Sequence, residues 1–171
     1  MSFNFHVRGA IDVIAQPSRL SCWATVGTMM MSWRDQRCYT IGSAMERVGE
    51  PYVTYFRNNR VLPWAERDDF GRAMGLTIDG PMCYTVHGLL TLISTTGSPL
   101  FFGLAPGGRT QGTTHIVLIT GMSGDGSPDG TTVHYVDPDG GRRRTSSFRD
   151  LMTEYEAGAN RPGLEAYVMH Y

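Results

Sequence analysis

The amino-acid sequence predicts an α+β fold in which an N-terminal layer of helices packs against a C-terminal antiparallel β-sheet. Up to residue 98, apolar residues recur mainly at helical spacing. From residue 99 onward, the apolar segments become short, rich in β-branched residues and separated by Gly- and Pro-rich turns. Segregation of helices and strands along a chain is typical of α+β proteins. Because the 171 residues contain no linker, repeat or low-complexity tract, we expect a single domain, 1–171.

Four helices are predicted in the first part of the chain, from apolar spacing and from the Pro and Gly residues at their ends. We interpret the three consecutive methionines at 29–31 as core residues and not as a metal site. The predicted helices span residues 22–36, 41–48, 63–74 and 85–96.

Four strands and one more helix are predicted in the second part of the chain. Residues 115–121 are apolar and β-branched, and they form a hairpin with the strand that follows the Gly-, Asp- and Pro-rich turn at 123–130. The helix starts with Ser146 or Ser147 as its N-cap. The predicted strands span 99–105, 115–121, 131–136 and 164–170, the helix spans 146–157, and Gly-rich connections lie at 106–112 and 137–141.

Composition excludes several classes of function. A net charge of −1 gives no general attraction to nucleic acid or to an anionic membrane. No apolar run approaches the roughly 20 residues of a membrane span. The N-terminal residues lack the basic start and apolar stretch of a signal peptide, so we expect export, if any, to use another route. We interpret the arginines at 142–144 as a solvated turn, or as residues that line the path of an acidic substrate.

All 15 lysine-or-arginine positions are arginine. Two interpretations of this bias stay open. One is a GC-rich genome that replaces lysine codons. The other is selection against lysine as a site of ubiquitin attachment, as would suit a toxin acting inside eukaryotic cells.

The most informative segment is 16–24, Gln-Pro-Ser-Arg-Leu-Ser-Cys-Trp-Ala. Cys22 stands at the start of a predicted helix, where the helix dipole favours a thiolate and so a nucleophile. Gln16 precedes Cys22 by six positions, and its amide can donate to an oxyanion that develops beside the Cys22 N–H. We interpret Trp23 as a packing residue that shields the site. The alternative for an isolated thiol is a buried structural cysteine.

His115 and Asp137 are the predicted partners of the thiol. His115 starts a strand where its ring can face a cleft between the helices and the sheet, and Asp137 ends the next strand. We expect the Asp137 carboxylate to accept the Nδ1–H of His115, which fixes the tautomer of the ring. Two alternatives stay open: Asp137 is only part of a turn, or Asp139 is the acceptor.

The remaining cysteines, Cys38 and Cys83, either form a disulfide with each other or stay reduced. Their spacing does not favour one state over the other. The chain has no CxxC motif and no Cys/His cluster at zinc-ligand spacing. We therefore expect neither a metal nor another cofactor.

These motifs resemble papain-like cysteine peptidases of the bacterial branch that includes effectors and bacteriocin-processing enzymes, with the chain order Cys, His, Asp. The resemblance rests on Gln-x5-Cys-Trp-Ala, on the strand that begins at His115 and on Asp137-Pro138. It implies a papain-like fold, with Cys22 as nucleophile, His115 as base and then acid, Asp137 as its orienting group and Gln16 in the oxyanion hole. This chain has Asp where plant enzymes use Asn.

The resemblance implies cleavage of peptide bonds in a protein or peptide. Other functions on a related fold stay open: a peptidoglycan amidase or endopeptidase toxin, a deamidating or acyl-transfer enzyme, or an inactive binding module. We expect a bacterial effector or toxin that a dedicated secretion system delivers, or else a cytoplasmic enzyme. Its expected partners are the substrate and an immunity protein or a secretion-apparatus carrier.

Overall fold

The structure is a computed structural model that describes residues 2–105, 114–159 and 167–171. The α-helices in these ranges are α1 (Cys22–Asp35), α2 (Ile41–Val48), α3 (Tyr52–Arg57), α4 (Arg67–Met74), α5 (Val86–Thr96) and α6 (Phe148–Ala159), and a 3-10 helix at Trp64–Glu66 precedes α4. The strands are β1 (Phe3–His6), β2 (Thr77–Asp79), β3 (Leu100–Leu104), β4 (His115–Gly124), β5 (Thr131–Asp137), β6 (Arg142–Ser147) and β7 (Val168–His170).

The strands form one antiparallel sheet in the order β2-β7-β3-β4-β5-β6, with β1 paired to β4 beside this path. The long strand β4 has two neighbours along the same edge. Its first half pairs with β3, with His115 opposite Leu104, and its second half pairs with β1, with Gly121 opposite His6. The register of β4 against β5 shifts between Ile119 and Gly121, which marks a β-bulge.

Helices cover both faces of this sheet, and the alternation of side chains along its strands divides the core in two. Helices α1 to α4 pack on one face, and α5 and α6 pack on the other. The strand residues on the first face include Phe101, Ile116, Leu118, Val136 and Met169. Those on the second face include Leu100, Phe102, Leu104, Val117, Ile119, Val133 and Val168. Burial on both faces explains why β3 and the first half of β4 are continuously apolar.

The predicted α+β class and most element positions agree with the structure. Helix α2 has the predicted bounds, and α1 ends one residue earlier than predicted, at Asp35. The predicted helix at 63–74 is a 3-10 turn followed by α4, and α6 begins two residues later than predicted. The predicted loop at 106–112 and residues 164–166 of the last predicted strand lie outside the described residues.

The structure adds strands that the sequence did not predict and corrects one prediction. Strands β1 and β2 add early residues to the sheet. These strands and α3 are too short to show a period. Residues 142–144 form the first half of β6 and are not a turn. Because β6 is an edge strand with exposed arginines, it lacks the apolar alternation that predicts a strand.

None of the helices in the described ranges has the length and apolarity needed to cross a bilayer.

Candidate active site

Cys22 is the first residue of α1, and its side chain is buried where the helix meets the sheet. The preceding turn closes on itself, because Ser21 Oγ donates to the Ser18 carbonyl oxygen at 2.9 Å. The Ser21 hydroxyl therefore does not cap the helix. The first N–H groups of an α-helix have no acceptor within the helix. The Cys22 sulfur thus lies beside backbone donors that favour negative charge.

Trp23 fixes this end of α1. Its side chain is 2% exposed. Its Nε1 donates to the Arg60 carbonyl oxygen at 3.1 Å, and its ring meets Phe70 edge-on with centroids 5.2 Å apart. Trp23 is accordingly a packing residue, and a change in its size would displace the adjacent Cys22.

His115 is the first residue of β4 and is 6% exposed. Its Nε2 lies 2.7 Å from Asp137 Oδ1. The other ring nitrogen, Nδ1, is buried and has no hydrogen-bond partner in the described part of the chain. Since Asp137 occupies Nε2, Nδ1 is the nitrogen that remains for the Cys22 thiol.

The pKa of His115 reflects opposing effects. Burial disfavours the imidazolium and lowers the pKa, but the hydrogen bond with Asp137 and the proximity and charge of Asp137 and Cys22 outweigh it and raise the pKa to about 9. The arrangement therefore favours a protonated ring next to the sulfur. A protonated ring in this position can stabilise negative charge that develops on the sulfur.

The expectation that Asp137 accepts the Nδ1–H is wrong, because the structure places Nε2 on the carboxylate. The two ring nitrogens lie on different edges of the imidazole, so a carboxylate that binds one nitrogen leaves the other for the thiol. The sequence alone does not indicate which nitrogen meets which group.

Asp137 binds three donors. Its Oδ1 accepts from His115 and from the Asp139 backbone N–H at 2.9 Å, and its Oδ2 lies 3.1 Å from Arg144 Nε. Burial raises the pKa of this carboxyl, but the hydrogen bonds from His115 and Asp139 and the charges of His115 and Arg144 bring it below its usual range. Asp137 is therefore an anion that holds the His115 ring.

Of the two candidate acceptors, Asp137 is the one whose carboxylate meets His115. Asp139 is exposed and supports the site through its backbone N–H. Arg144 was not recognised from the sequence as a neighbour of Asp137. The sequence feature that indicates this neighbour is the Gly-Gly turn at 140–141, which forms a hairpin and brings β6 alongside β5.

Gln16 lies against the turn that follows Asp137. Its backbone N–H donates to the Pro138 carbonyl oxygen at 2.8 Å, and its side-chain Oε1 is buried without a hydrogen-bond partner among the described residues. Gly141 permits this contact, since a Cβ there would lie 2.9 Å from the backbone nitrogen of Ala15. The turn that follows Asp137 thus also positions the loop of Gln16.

A surface cavity of about 460 Å³ adjoins this loop. Gln16 and Asp139 lie on its wall, together with the segment that leads toward Cys22. The structure therefore brings Cys22, His115 and Asp137 together, and places Gln16 on the neighbouring loop beside an open cavity.

The remaining cysteines and histidines have other surroundings. Cys38 and Cys83 are exposed and free, so they do not form the disulfide that the sequence left open. A hydrogen bond and negative charge from Asp12 raise the pKa of Cys38. His134 Nε2 lies 2.9 Å from Ser123 Oγ, and His170 Nε2 lies 3.4 Å from Asp79 Oδ2.

Comparison with known proteins identifies the family. The model of the family described as papain-like cysteine protease AvrRpt2 matches residues 1–156 of this chain. No curated protein matches it significantly. The match spans most of the chain, and the observed helices and antiparallel sheet are consistent with a papain-like fold. The chain therefore belongs to the AvrRpt2 family of papain-like cysteine proteases, which are hydrolases that act on peptide bonds.

Proposed function

We propose that the chain cleaves peptide bonds with Cys22 as the nucleophile, His115 as its acid and base, Asp137 as the orienting carboxylate and Gln16 as an oxyanion donor. The observation that carries this proposal is the position of the His115 ring. Its Nε2 is held by Asp137 at 2.7 Å, which leaves the buried Nδ1 for the Cys22 thiol.

In the first step, the Cys22 thiolate attacks the carbonyl carbon of the scissile bond. Negative charge develops on the carbonyl oxygen, where the Cys22 N–H and the Gln16 amide donate hydrogen bonds. His115 then gives its Nδ1 proton to the leaving amine, which forms an acyl-enzyme with Cys22. In the second step, His115 takes a proton from water, which attacks the thioester and releases the new carboxyl end.

The imidazolium that donates this proton must be present before the amine leaves. Asp137 supports it, because its hydrogen bond and its negative charge contribute to the raised pKa of His115, which is about 9 in the free enzyme. The ring therefore holds its proton at neutral pH, and proton transfer to an amine leaving group is favourable.

We further propose that the protease is a bacterial effector that a secretion system delivers into a eukaryotic cell. The family match supports this role. The absence of lysine also supports it, because all 15 lysine-or-arginine positions are arginine and no side chain offers an amine for ubiquitin. Arg57→Lys tests this point, since Arg57 is exposed and pairs with the exposed Glu46. The proteasome in a eukaryotic extract should degrade the variant faster than the wild type. Equal half-lives of the two proteins would contradict the proposal.

Incubation of the purified protein with denatured casein and, separately, with peptidoglycan tests the proposed reaction. We expect new casein fragments with the wild type and none with Cys22→Ala or His115→Ala. Circular dichroism serves as the control for folding. Release of peptidoglycan fragments without casein cleavage would replace the proposal with an amidase toxin. Casein cleavage by Cys22→Ala would refute the assigned nucleophile.

A further inference from the structure

A second cavity, of about 300 Å³, lies on the surface formed by β1, β4, β5 and β6. Basic and hydroxyl side chains dominate its wall, and no carboxylate of the described residues lines it. The side chains that matter here are His6, His134, Arg143, Arg144, Thr120 and Thr145. The volume is at the lower end of the range for small-ligand sites, about 300–1,000 Å³.

Two imidazole rings meet at this cavity. The ring centroids of His6 and His134 are 4.7 Å apart, and neither ring has a carboxylate partner among the described contacts. Gly121 allows the approach, because a Cβ at this position would lie 2.6 Å from His6 Nδ1. Burial and the nearby His6 lower the pKa of His134. An anion beside these two rings, which lie 4.7 Å apart, would counter the lowering of the His134 pKa.

Two guanidinium groups complete the wall. Arg143 is anchored by a hydrogen bond from Nη2 to the Ile11 carbonyl oxygen at 3.0 Å. Arg144 reaches from the same strand toward Asp137, with its Nε 3.1 Å from Oδ2. A guanidinium carries five N–H donors, so Arg143 retains donors for a ligand while it is bonded to Ile11, and Arg144 can offer donors to a ligand in exchange for Asp137. Arginine donors in pairs match the oxygens of a phosphate group.

We propose that this cavity binds a phosphate-type oxyanion through Arg143, Arg144 and the two histidines. The shared chemistry is a tetrahedral group with several acceptor oxygens. It comes either from an inorganic phosphate or from a phosphorylated side chain of another protein. The hydroxyl of Thr145, on the exposed strand β6, is a further donor.

The position of Arg144 gives this site a consequence for activity, and this part rests on the proposed function. Arg144 is the one side chain of this cavity that also binds Asp137. An oxyanion that recruits the guanidinium competes with Asp137 Oδ2 and loosens the carboxylate that orients His115. Occupancy of the cavity therefore slows turnover.

Titration of the full chain with inorganic pyrophosphate tests the binding. The imidazole signals of His6 and His134 are followed by NMR, and a titration with chloride at the same ionic strength is the reference. We expect saturable shifts of both imidazoles. Arg143→Gln and Thr145→Ala should weaken binding, the former by ten-fold or more. Arg57→Gln, which removes the same charge far from the cavity, should not. If Arg143→Gln misfolds, the affinities of Thr145→Ala and His134→Gln for pyrophosphate decide whether the cavity is the binding site. Imidazole shifts that do not saturate would overturn the proposal, and so would a loss of affinity in Arg57→Gln equal to that in Arg143→Gln.

Two further arms complete the test. A phosphoserine peptide is titrated beside pyrophosphate, and the tighter ligand identifies the source of the oxyanion. The titration is repeated on Cys22→Ala, in which binding should persist, so that a failure of the catalytic proposal leaves the binding result intact. Pyrophosphate should also slow casein cleavage by the wild type. Saturable binding with no effect on cleavage would overturn the competition for Arg144.

Discussion

Arg144 and Asp137 form an ion pair on the side of the carboxylate that His115 leaves open. Arg144 Nε lies 3.1 Å from Asp137 Oδ2, whereas His115 Nε2 lies 2.7 Å from Oδ1. The carboxylate is therefore held at both oxygens, and its orientation toward His115 depends on a residue of the edge strand β6.

Arg144→Gln should lower kcat about two- to five-fold and leave KM unchanged, since a half-exposed ion pair contributes at most about 1 kcal/mol. The loss of a positive charge near the site should also move the alkaline limit of activity to higher pH. Arg144→Lys should restore part of kcat. Steady-state kinetics across pH measure both effects. Arg57→Gln, which removes the same charge at an exposed position paired with Glu46, is the control, and an equal loss in both variants would refute the specific role of Arg144.

Activity should fall at alkaline pH as the His115 imidazolium loses its proton, with an apparent pKa of about 9. Asp137→Asn should move this limit to lower pH, because a neutral amide no longer stabilises the charged ring, while retaining part of the activity. Asp137→Ala should lower activity further, but less than Cys22→Ala or His115→Ala. Asp139→Asn keeps its backbone N–H and should match the wild type. A large loss in Asp139→Asn alone would transfer the orienting role to that residue.

The stability of the protein should depend on pH through His115. Its pKa in the folded protein is raised from 6.5 to about 9, so its contribution to the free energy of unfolding is complete below pH 6.5 and is lost as pH rises through 9. Denaturant unfolding of the wild type and His115→Gln at several pH values measures this contribution. The difference between the two proteins should shrink from pH 6.5 to 9. A difference that stays constant across this window would show that His115 is not charged in the folded state.

Gln16→Ala should lower kcat by about 10²–10³, the usual loss for one oxyanion donor. The fold should survive, because the hydrogen bond to Pro138 comes from the Gln16 backbone, which alanine retains. Kinetics with casein and thermal unfolding measure the two properties. Val13→Ala, at an exposed position of the same segment, is the matched control. Wild-type turnover in Gln16→Ala would mean that Gln16 serves only the structure of the loop.

Sequence patterns were sufficient where local signals are strong. The helix at Cys22 and helix α5 both follow from apolar spacing, and the structure shows that the Thr85 side chain caps α5 by accepting from the Gly88 N–H. The hairpin of β4 and β5 follows from two β-branched segments around a Gly-rich turn. These features depend on residues that are close in the chain, so local sequence patterns predict them.

The rest depends on contacts between distant residues. Strand β1 pairs with β4 across more than 100 positions, with Phe3 opposite Gly124, and no local pattern encodes that partner. Likewise, the nitrogen of His115 that meets Asp137 depends on how the helix layer docks on the sheet. The sequence thus suggested the residues of the site but not the geometry that joins them.

The rate at which each cysteine reacts with iodoacetamide near neutral pH, read by peptide mapping, tests most directly whether His115 activates Cys22. Cys38 and Cys83 are exposed and Cys22 is 7% exposed, so accessibility alone ranks Cys22 last. We expect Cys22 to react fastest, because the thiolate is the reactive form, and to slow in His115→Ala. Fast labelling of Cys38 or Cys83 with an inert Cys22, or an unchanged Cys22 rate in His115→Ala, would contradict a thiolate–imidazolium pair at this site.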